Sequence, residues 1–190
     1  MRALLLYDEA SENFNGVNLA EEVKNFLESK GFTTKARKII GSEFKPCIGC
    51  FGCWVKTPGL CVLKGDKANE INNDMINAQV LVILTNIQYG SYSKDIKKYL
   101  DRQIPNISPF FTIINGETHH QKRYNSYPCF VGIGYSANVS DTEKKTFKTL
   151  VQRNSINFHA PKTLPLVIGN EVDISKGISE LSNFLVEVSS

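Results

Sequence analysis

Apolar and polar residues come in blocks along this chain, and the blocks switch between two periods. Arg2–Tyr7 is a short apolar run that reads as a buried strand. Val17–Lys30 has apolar residues at Val17, Leu19, Ala20, Val23, Phe26 and Leu27, a helical spacing that Gly31 stops. Phe32–Ile40 alternates apolar and polar positions, as a strand nearer a sheet edge does. Asp66 is placed to cap a helix to about Asn77, with Ala68, Ile71, Met75 and Ile76 facing inward. Val80–Thr85 is almost continuous in β-branched residues and leucine, which predicts a central strand buried on both faces. Ser93 opens a helix to about Gln103, and Pro105 breaks it. Residues 106–126 have no clear period and hold an Asn115-Gly116 turn signal. Cys129–Tyr135 is the next strand, Asp141 caps a helix to about Phe158, Leu164–Ile168 is a last strand, and a helix follows from about Ile174 to Val188.

Five strand–helix alternations predict an α/β fold. The sheet is parallel and five-stranded, covered on both faces as a doubly wound three-layer α/β/α sandwich, and the flavodoxin-like order 2-1-3-4-5 suits it. Residues 1–190 read as one such domain, with a cysteine-rich loop at 45–65 and an irregular insertion at 106–126. Ligands in these sheets bind beyond the carboxyl ends of the strands, where the strand order reverses. The loops to inspect are therefore Asp8–Gly16, Lys45–Gly65, Asn86–Tyr92 and Tyr135–Ser140, all expected on one edge.

Hydrophobic residues at 42% and charged residues at 22% exclude a disordered chain. Net charge is only +3, from 22 basic and 19 acidic residues spread along the chain, so no nucleic-acid partner is expected. The apolar stretch Ala3–Tyr7, stopped by Asp8-Glu9, is too short for a signal peptide. Val80–Leu84 is far below the ~20 residues of a membrane span. A cytoplasmic protein with no membrane partner is expected. In a reducing compartment clustered cysteines point to metal or redox chemistry more than to disulfides.

Such a cluster is present. Cys47-Ile-Gly-Cys50-Phe-Gly-Cys53 is followed by Cys61, a C-x2-C-x2-C-x7-C spacing. This density in one loop is that of thiolate nests around iron–sulfur clusters. Gly49 and Gly52 would let the backbone turn, and Phe51 and Trp54 would shield a cluster from water. A zinc site more often uses two separated pairs, and four free thiols in a packed loop is the plain alternative. Cys129 lies within a strand and reads as a core residue.

A second signal is Thr85-Asn-Ile-Gln-Tyr89-Gly90-Ser-Tyr-Ser93, running into Ile96-Lys97-Lys98-Tyr99-Leu100-Asp101-Arg102. Here the chain resembles the flavodoxin-like NADPH-dependent FMN reductases and the related iron–sulfur flavoproteins. Thr85, Gly90, Ser93, Lys97, Asp101 and Arg102 match the motif of those families, and Ile96 and Tyr99 are close substitutes. The cysteine loop ending in Cys61-Val-Leu-Lys-Gly-Asp66 resembles the stretch they carry between strand two and helix two. The resemblance implies an FMN at the switch point, with NAD(P)H as electron donor and an unnamed electron acceptor. Its ring would lie against Asn86, Ile87, Gln88, Tyr89 and Gly90, with its other edge at Gly134 and Tyr135. Its phosphate would lie at Ser11, Asn13, Asn15 and Gly16. Cys47, Cys50, Cys53 and Cys61 would hold an iron–sulfur cluster. No general base is needed for hydride transfer to a flavin, so no catalytic acid or base is assigned. Asp101 and Arg102 read instead as a structural ion pair.

The first loop departs from the resembled pattern. Glu9 stands where a serine is expected and Ser11 where an arginine is, and Asp8, Glu9 and Glu12 bring three carboxylates to the place of a phosphate dianion. Two functions follow. One is an FMN-dependent NAD(P)H oxidoreductase or electron-transfer flavoprotein. The other is a flavodoxin-like protein that has lost FMN and works as a cysteine-based redox-sensing or partner-binding module. His119 and His120 fall in the long 106–126 segment, read as a solvated polar loop that starts on the wrong edge for catalysis unless a dimer partner's site receives it, and whose length points to a role in assembly, as a homodimer or higher homo-oligomer, or in covering a site. His159 reads as structural or exposed.

Overall fold

Period-two burial in the strands sets the two faces of the central sheet. In the first strand, β1 (Arg2–Asp8), Ala3 and Leu5 enter one apolar cluster, and Leu4 and Leu6 enter the other. A computed structural model describes residues 1–189. It places β2 (Thr33–Ile39) and β3 (Val80–Asn86) on either side of β1, followed by β6 (Cys129–Tyr135) and β7 (Thr163–Ile168). All four pairings are parallel, so the order is the 2-1-3-4-5 expected from the alternation. β2 is the half-exposed edge strand, whereas β3 and β6 are buried almost throughout, as their continuous apolar runs require.

Helices cover both faces. α1 (Leu19–Ser29) and α6 (Glu171–Ser189) pack one side through residues such as Leu19, Leu27, Leu181 and Phe184. α3 (Ala68–Ile76), α4 (Lys94–Leu100) and α5 (Asp141–Asn157) pack the other through Ile71, Ile96, Tyr99, Phe147 and Val151. A four-residue α2 (Gly52–Val55) lies inside the cysteine loop. Among the described residues no helix is long and apolar enough to cross a membrane.

Several details differ from the sequence reading. The cap of α5 is Ser140, whose hydroxyl accepts from the Glu143 amide while the Glu143 carboxylate accepts from the Ser140 amide. Asp141 is therefore the first helical residue. Ser93 sits at the cap position of α4 without a side-chain capping bond. Residues 106–126 are not irregular. They form an antiparallel hairpin of β4 (Ile107–Ile114) and β5 (Glu117–Lys122), closed by Asn115-Gly116 with both residues at positive φ, 52° and 82°. The weak period has a physical cause, because a two-stranded ribbon buries only part of one face.

Asp66 is not the α3 cap, which is Lys67. Its carboxylate accepts from the Ala68 and Lys45 amides and from the Arg102 guanidinium at 2.7 Å. Arg102 therefore pairs with Asp66, while Asp101 pairs with Lys97. The side chains of Arg102 and Asp66 are 0% and 2% exposed, and Arg102 also donates to the Lys45 carbonyl. This pair clamps both ends of the cysteine loop to the end of α4. Burial pushes the Asp66 carboxyl up, but hydrogen bonds from Arg102 and the two amides outweigh it and leave the pKa below its ordinary 3.8. Stability from this group is thus complete above that ordinary value and is lost as pH falls through the lower folded value. Replacing Arg102→Met strands the carboxylate and is expected to cost about 3–5 kcal/mol in urea unfolding. A cost below 1 kcal/mol would show that the loop does not depend on the pair.

Candidate functional site

The strand order reverses between β1 and β3, and there Asp8, the last residue of β1, turns its carboxylate inward. It is 4% exposed. An ionised carboxylate at that depth needs donors, and it has three: the Asn86 amide at 2.7 Å, the Thr85 hydroxyl at 3.2 Å, and the Tyr135 hydroxyl. Thr85 Oγ1 in turn accepts from the Ser93 amide at 2.9 Å, which fixes where α4 begins. Burial, and then the adjacent Asp8, push the Tyr135 phenol well above its usual range, so it stays a donor. The sequence reading grouped Asp8 with the loop acids. The signal that distinguishes it is its place as the last residue of an apolar strand.

The first loop folds back on the end of β1. Residues Glu9–Asn13 make one 3-10 turn, and Ser11, 0% exposed, donates its hydroxyl to the Asp8 carbonyl at 2.6 Å. Phe14 packs edge-on against Tyr135, with ring centroids 5.1 Å apart. Asn15 and Gly16, at φ 52° and 82°, form a tight turn closed by paired Phe14–Val17 hydrogen bonds. Asn13 Oδ1 accepts from the Gly16 amide. Asn18 Oδ1 caps α1 by accepting from the Glu21 amide at 3.0 Å, and Glu21 and Glu22 occupy its first turn. Of the residues expected at a phosphate, Ser11 is therefore spent inside the fold, and Asn13, Asn15 and Gly16 lie on an exposed turn.

The loop after β3 repeats the same turn. Gln88 and Ser91 exchange two backbone hydrogen bonds, and Tyr89 and Gly90 sit at φ 53° and 76°. Gly90 approaches α5: a Cβ here would meet Thr146 at 2.8 Å. The bare backbone thus serves packing as well as any ligand. Tyr89 is 96% exposed, a large aromatic held in the left-handed region, at a cost of about 1–2 kcal/mol, and given no packing in return. Asn86 is half-buried and its side chain donates to the Tyr135 carbonyl, while Gln88 is exposed. Ile87, Gly134 and Tyr135 belong to the core, and a Cβ on Gly134 would strike Ile87 and Phe147 at 2.7 Å. Of the residues expected against a flavin ring, Asn86, Gln88 and Tyr89 are the accessible ones.

The cysteine loop leaves this edge. Trp54 Nε1 donates to the Ile104 and Ile107 carbonyls, beyond the C-terminal end of α4. Cys47, Cys50, Cys53 and Cys61 line one cavity of about 390 Å³ together with Arg102 and Pro105. The seven residues of α4 separate this cavity from the switch point by about 10 Å of helix rise. Four loops were expected on one edge; three are there, because the clamp at Arg102 draws the fourth along α4. All four thiols are free, Cys47 and Cys50 exposed and Cys53 buried. Burial, and then the neighbouring thiols, raise the Cys53 pKa. Among the described residues no three or more His, Cys, Asp or Glu side chains are arranged as a metal-holding group. The donor set suits a thiolate-bound centre, but the sulfurs share a cavity without converging on one point. Cys129 is a buried core residue, as expected.

His119 and His120 are not a solvated loop. His119 is buried in β5, with Asn157 at 3.0 Å on Nδ1 and Glu117 at 3.1 Å on Nε2. The His120 ring lies between Trp54 and Phe111, 5.0 and 4.8 Å away, and Trp54 stacks on Phe51. The hairpin thereby braces the cysteine loop. His159 is buried against Tyr127.

No family model matches the chain. An iron–sulfur flavoprotein of Methanocaldococcus jannaschii is 30% identical over 91 residues, which span 48% of this chain and 46% of that protein. Among solved structures, an NADH:FMN oxidoreductase in its apo form superposes with a TM-score of 0.63 at 14% identity, over 100% of this chain and 90% of that one. An FMN-dependent NADH-azoreductase from Bacillus anthracis, in complex with FMN, gives 0.61 at 14%, over 97% and 98%. An NAD(P)H:quinone oxidoreductase from Methanothermobacter marburgensis gives 0.66 at 11%, over 95% and 92%. The chain thus has the flavodoxin-like fold of these reductases, and its resemblance is to the flavodoxin-like FMN reductases and the iron–sulfur flavoproteins.

Proposed function

We propose that this chain is a flavin-dependent oxidoreductase that takes electrons from NAD(P)H, with the cysteine cavity as a second redox station. The observation that carries the reading is Tyr89. A solvent-facing aromatic, strained into positive φ at the switch point, stands on a turn whose closing hydrogen bonds leave the Tyr89 and Gly90 amides at its tip. The names of the similar proteins support it: one is an iron–sulfur flavoprotein, and the structures are an NADH:FMN oxidoreductase, an FMN-dependent NADH-azoreductase and an NAD(P)H:quinone oxidoreductase.

The two halves of FMN fare differently here. The ring suits the loop after β3, where Tyr89 offers a face and the tip amides offer donors to the pyrimidine edge. The phosphate does not suit the first loop, whose hydroxyl at Ser11 is spent and whose helix N-terminus is already capped by Asn18. A bound flavin would supply two-electron hydride acceptance and one-electron release. The chain supplies placement: Gly90 seats the turn on α5, and the Asp8 bonds to Asn86 and Thr85 hold the root of the loop rigid.

That first loop favours a second reading, a flavin-free thiol redox module. Flavin fluorescence titration separates the two. Saturable quenching, followed by bleaching of the bound flavin on adding NADH or NADPH, is expected; no quenching by any flavin would leave the thiol module.

Two substitutions sharpen the test. Tyr89→Asn keeps a residue tolerant of the left-handed region. It is expected to hold or raise the melting temperature while weakening flavin binding several-fold, and equal binding would remove Tyr89 from the site. For the cysteines, anaerobic reconstitution with iron and sulfide is expected to give broad visible absorbance that Cys50→Ser lacks. A colourless wild-type product would leave the four thiols to disulfide chemistry.

A further inference from the structure

We propose that the switch-point edge takes an uncharged flavin in preference to FMN, whose phosphate the first loop disfavours, so that riboflavin is the preferred ligand. This rests on the flavin reading above and goes beyond it in naming which flavin.

The argument starts from what a phosphate dianion requires: free donors, a cation, and an open helix N-terminus. The Ser11 hydroxyl is 0% exposed and bonded to the Asp8 carbonyl. Asn18 occupies the N-terminal amide of Glu21 on α1, and the first turn carries Glu21 and Glu22. Glu9 and Glu12 follow β1 directly. The nearby cations are already engaged. Lys38 Nζ lies 2.8 Å from Glu12 and 3.8 Å from Glu9, and Lys24 lies 3.7 Å from Glu21. Burial first, and then the charge of Glu12, raise the Tyr7 pKa against the opposing pull of Lys38. Glu9, Glu12, Glu21 and Glu22 lie in the loop and first helical turn that a phosphate would have to enter, the first three beside lysines they already engage, and a dianion placed among them is repelled.

Nothing comparable opposes the ring. Asn86, Gln88 and Tyr89 are neutral, and the Tyr89 ring is open to solvent. An isoalloxazine gains stacking and tip-amide hydrogen bonds there without touching the acidic loop. Riboflavin keeps those contacts and omits the charge.

The test is a paired titration of the whole chain with riboflavin and with FMN by fluorescence quenching, at low and at high salt. Riboflavin is expected to bind about five-fold tighter than FMN at low salt, and the gap should narrow as salt screens the exposed acids. Glu9→Arg changes a residue whose side chain is 76% exposed, so folding is not at risk. It is expected to tighten FMN by about five-fold and to leave riboflavin unchanged. FMN binding tighter than riboflavin in the wild-type chain overturns the proposal and leaves the flavin reading standing. Equal tightening of both ligands by Glu9→Arg overturns the charge argument. Failure of both ligands to bind overturns this proposal together with the flavin reading beneath it.

Discussion

A carboxylate buried at the end of the central strand must find donors, and much of this molecule's ligand edge is arranged to supply them. Asp8 draws an amide from Asn86, a hydroxyl from Thr85 and a hydroxyl from Tyr135, so the ends of β1, β3 and β6 are held at one point. An unmet donor or acceptor there would cost about 1–3 kcal/mol or more for a charged group, which makes the arrangement hard to alter piecemeal. Thr85 passes the order on to Ser93 and the start of α4, and Phe14 closes over Tyr135. A separate bond, from the Ser11 hydroxyl to the Asp8 main-chain carbonyl, folds the first loop back on the strand end.

The second organising feature is α4, which acts as a spacer. At one end stands the loop carrying Tyr89; at the other, Arg102 and Asp66 clamp the cysteine loop. A buried pair of this kind contributes position more than net stability, because desolvation offsets most of its attraction. What it positions is the wall of the thiol cavity. The Phe51–Trp54–His120–Phe111 stack then ties that cavity to the hairpin, so an apparently peripheral insertion supports the redox candidate.

Strain is distributed unevenly between these regions. Asn15 and Asn115 occupy positive φ beside a glycine, where asparagine is tolerated. Tyr89 occupies the same geometry with a large exposed ring, which no packing explains. Phe51 and His159 also occupy positive φ, but their rings pack on Trp54 and Tyr127, whereas Tyr89 stands 96% exposed, and that contrast sets its turn apart.

How much of this was legible in the chain depends on how local the governing physics is. Period-two and helical spacings, with glycine and proline breaks, determined the five parallel strands and the layers, since burial on one or both faces leaves a direct imprint on each segment, and the strand order followed from the fold pattern that five such alternations suit. The Tyr89-Gly90 loop and the cysteine spacing were likewise readable, because they lie within single stretches. The hairpin was not, since a ribbon packed on one face by α5 shows little alternation. The partner of Arg102 was not, since Asp66 is 36 residues away and Asp101 is adjacent. The inward turn of Asp8, the loss of Ser11 to the fold, the displacement of the cysteine loop along α4 and the open arrangement of its sulfurs were decided only in three dimensions. Each depends on which distant donor or cation comes to lie against a side chain, and that is set by the packing of the sheet and helices and not by the neighbours of a residue in sequence.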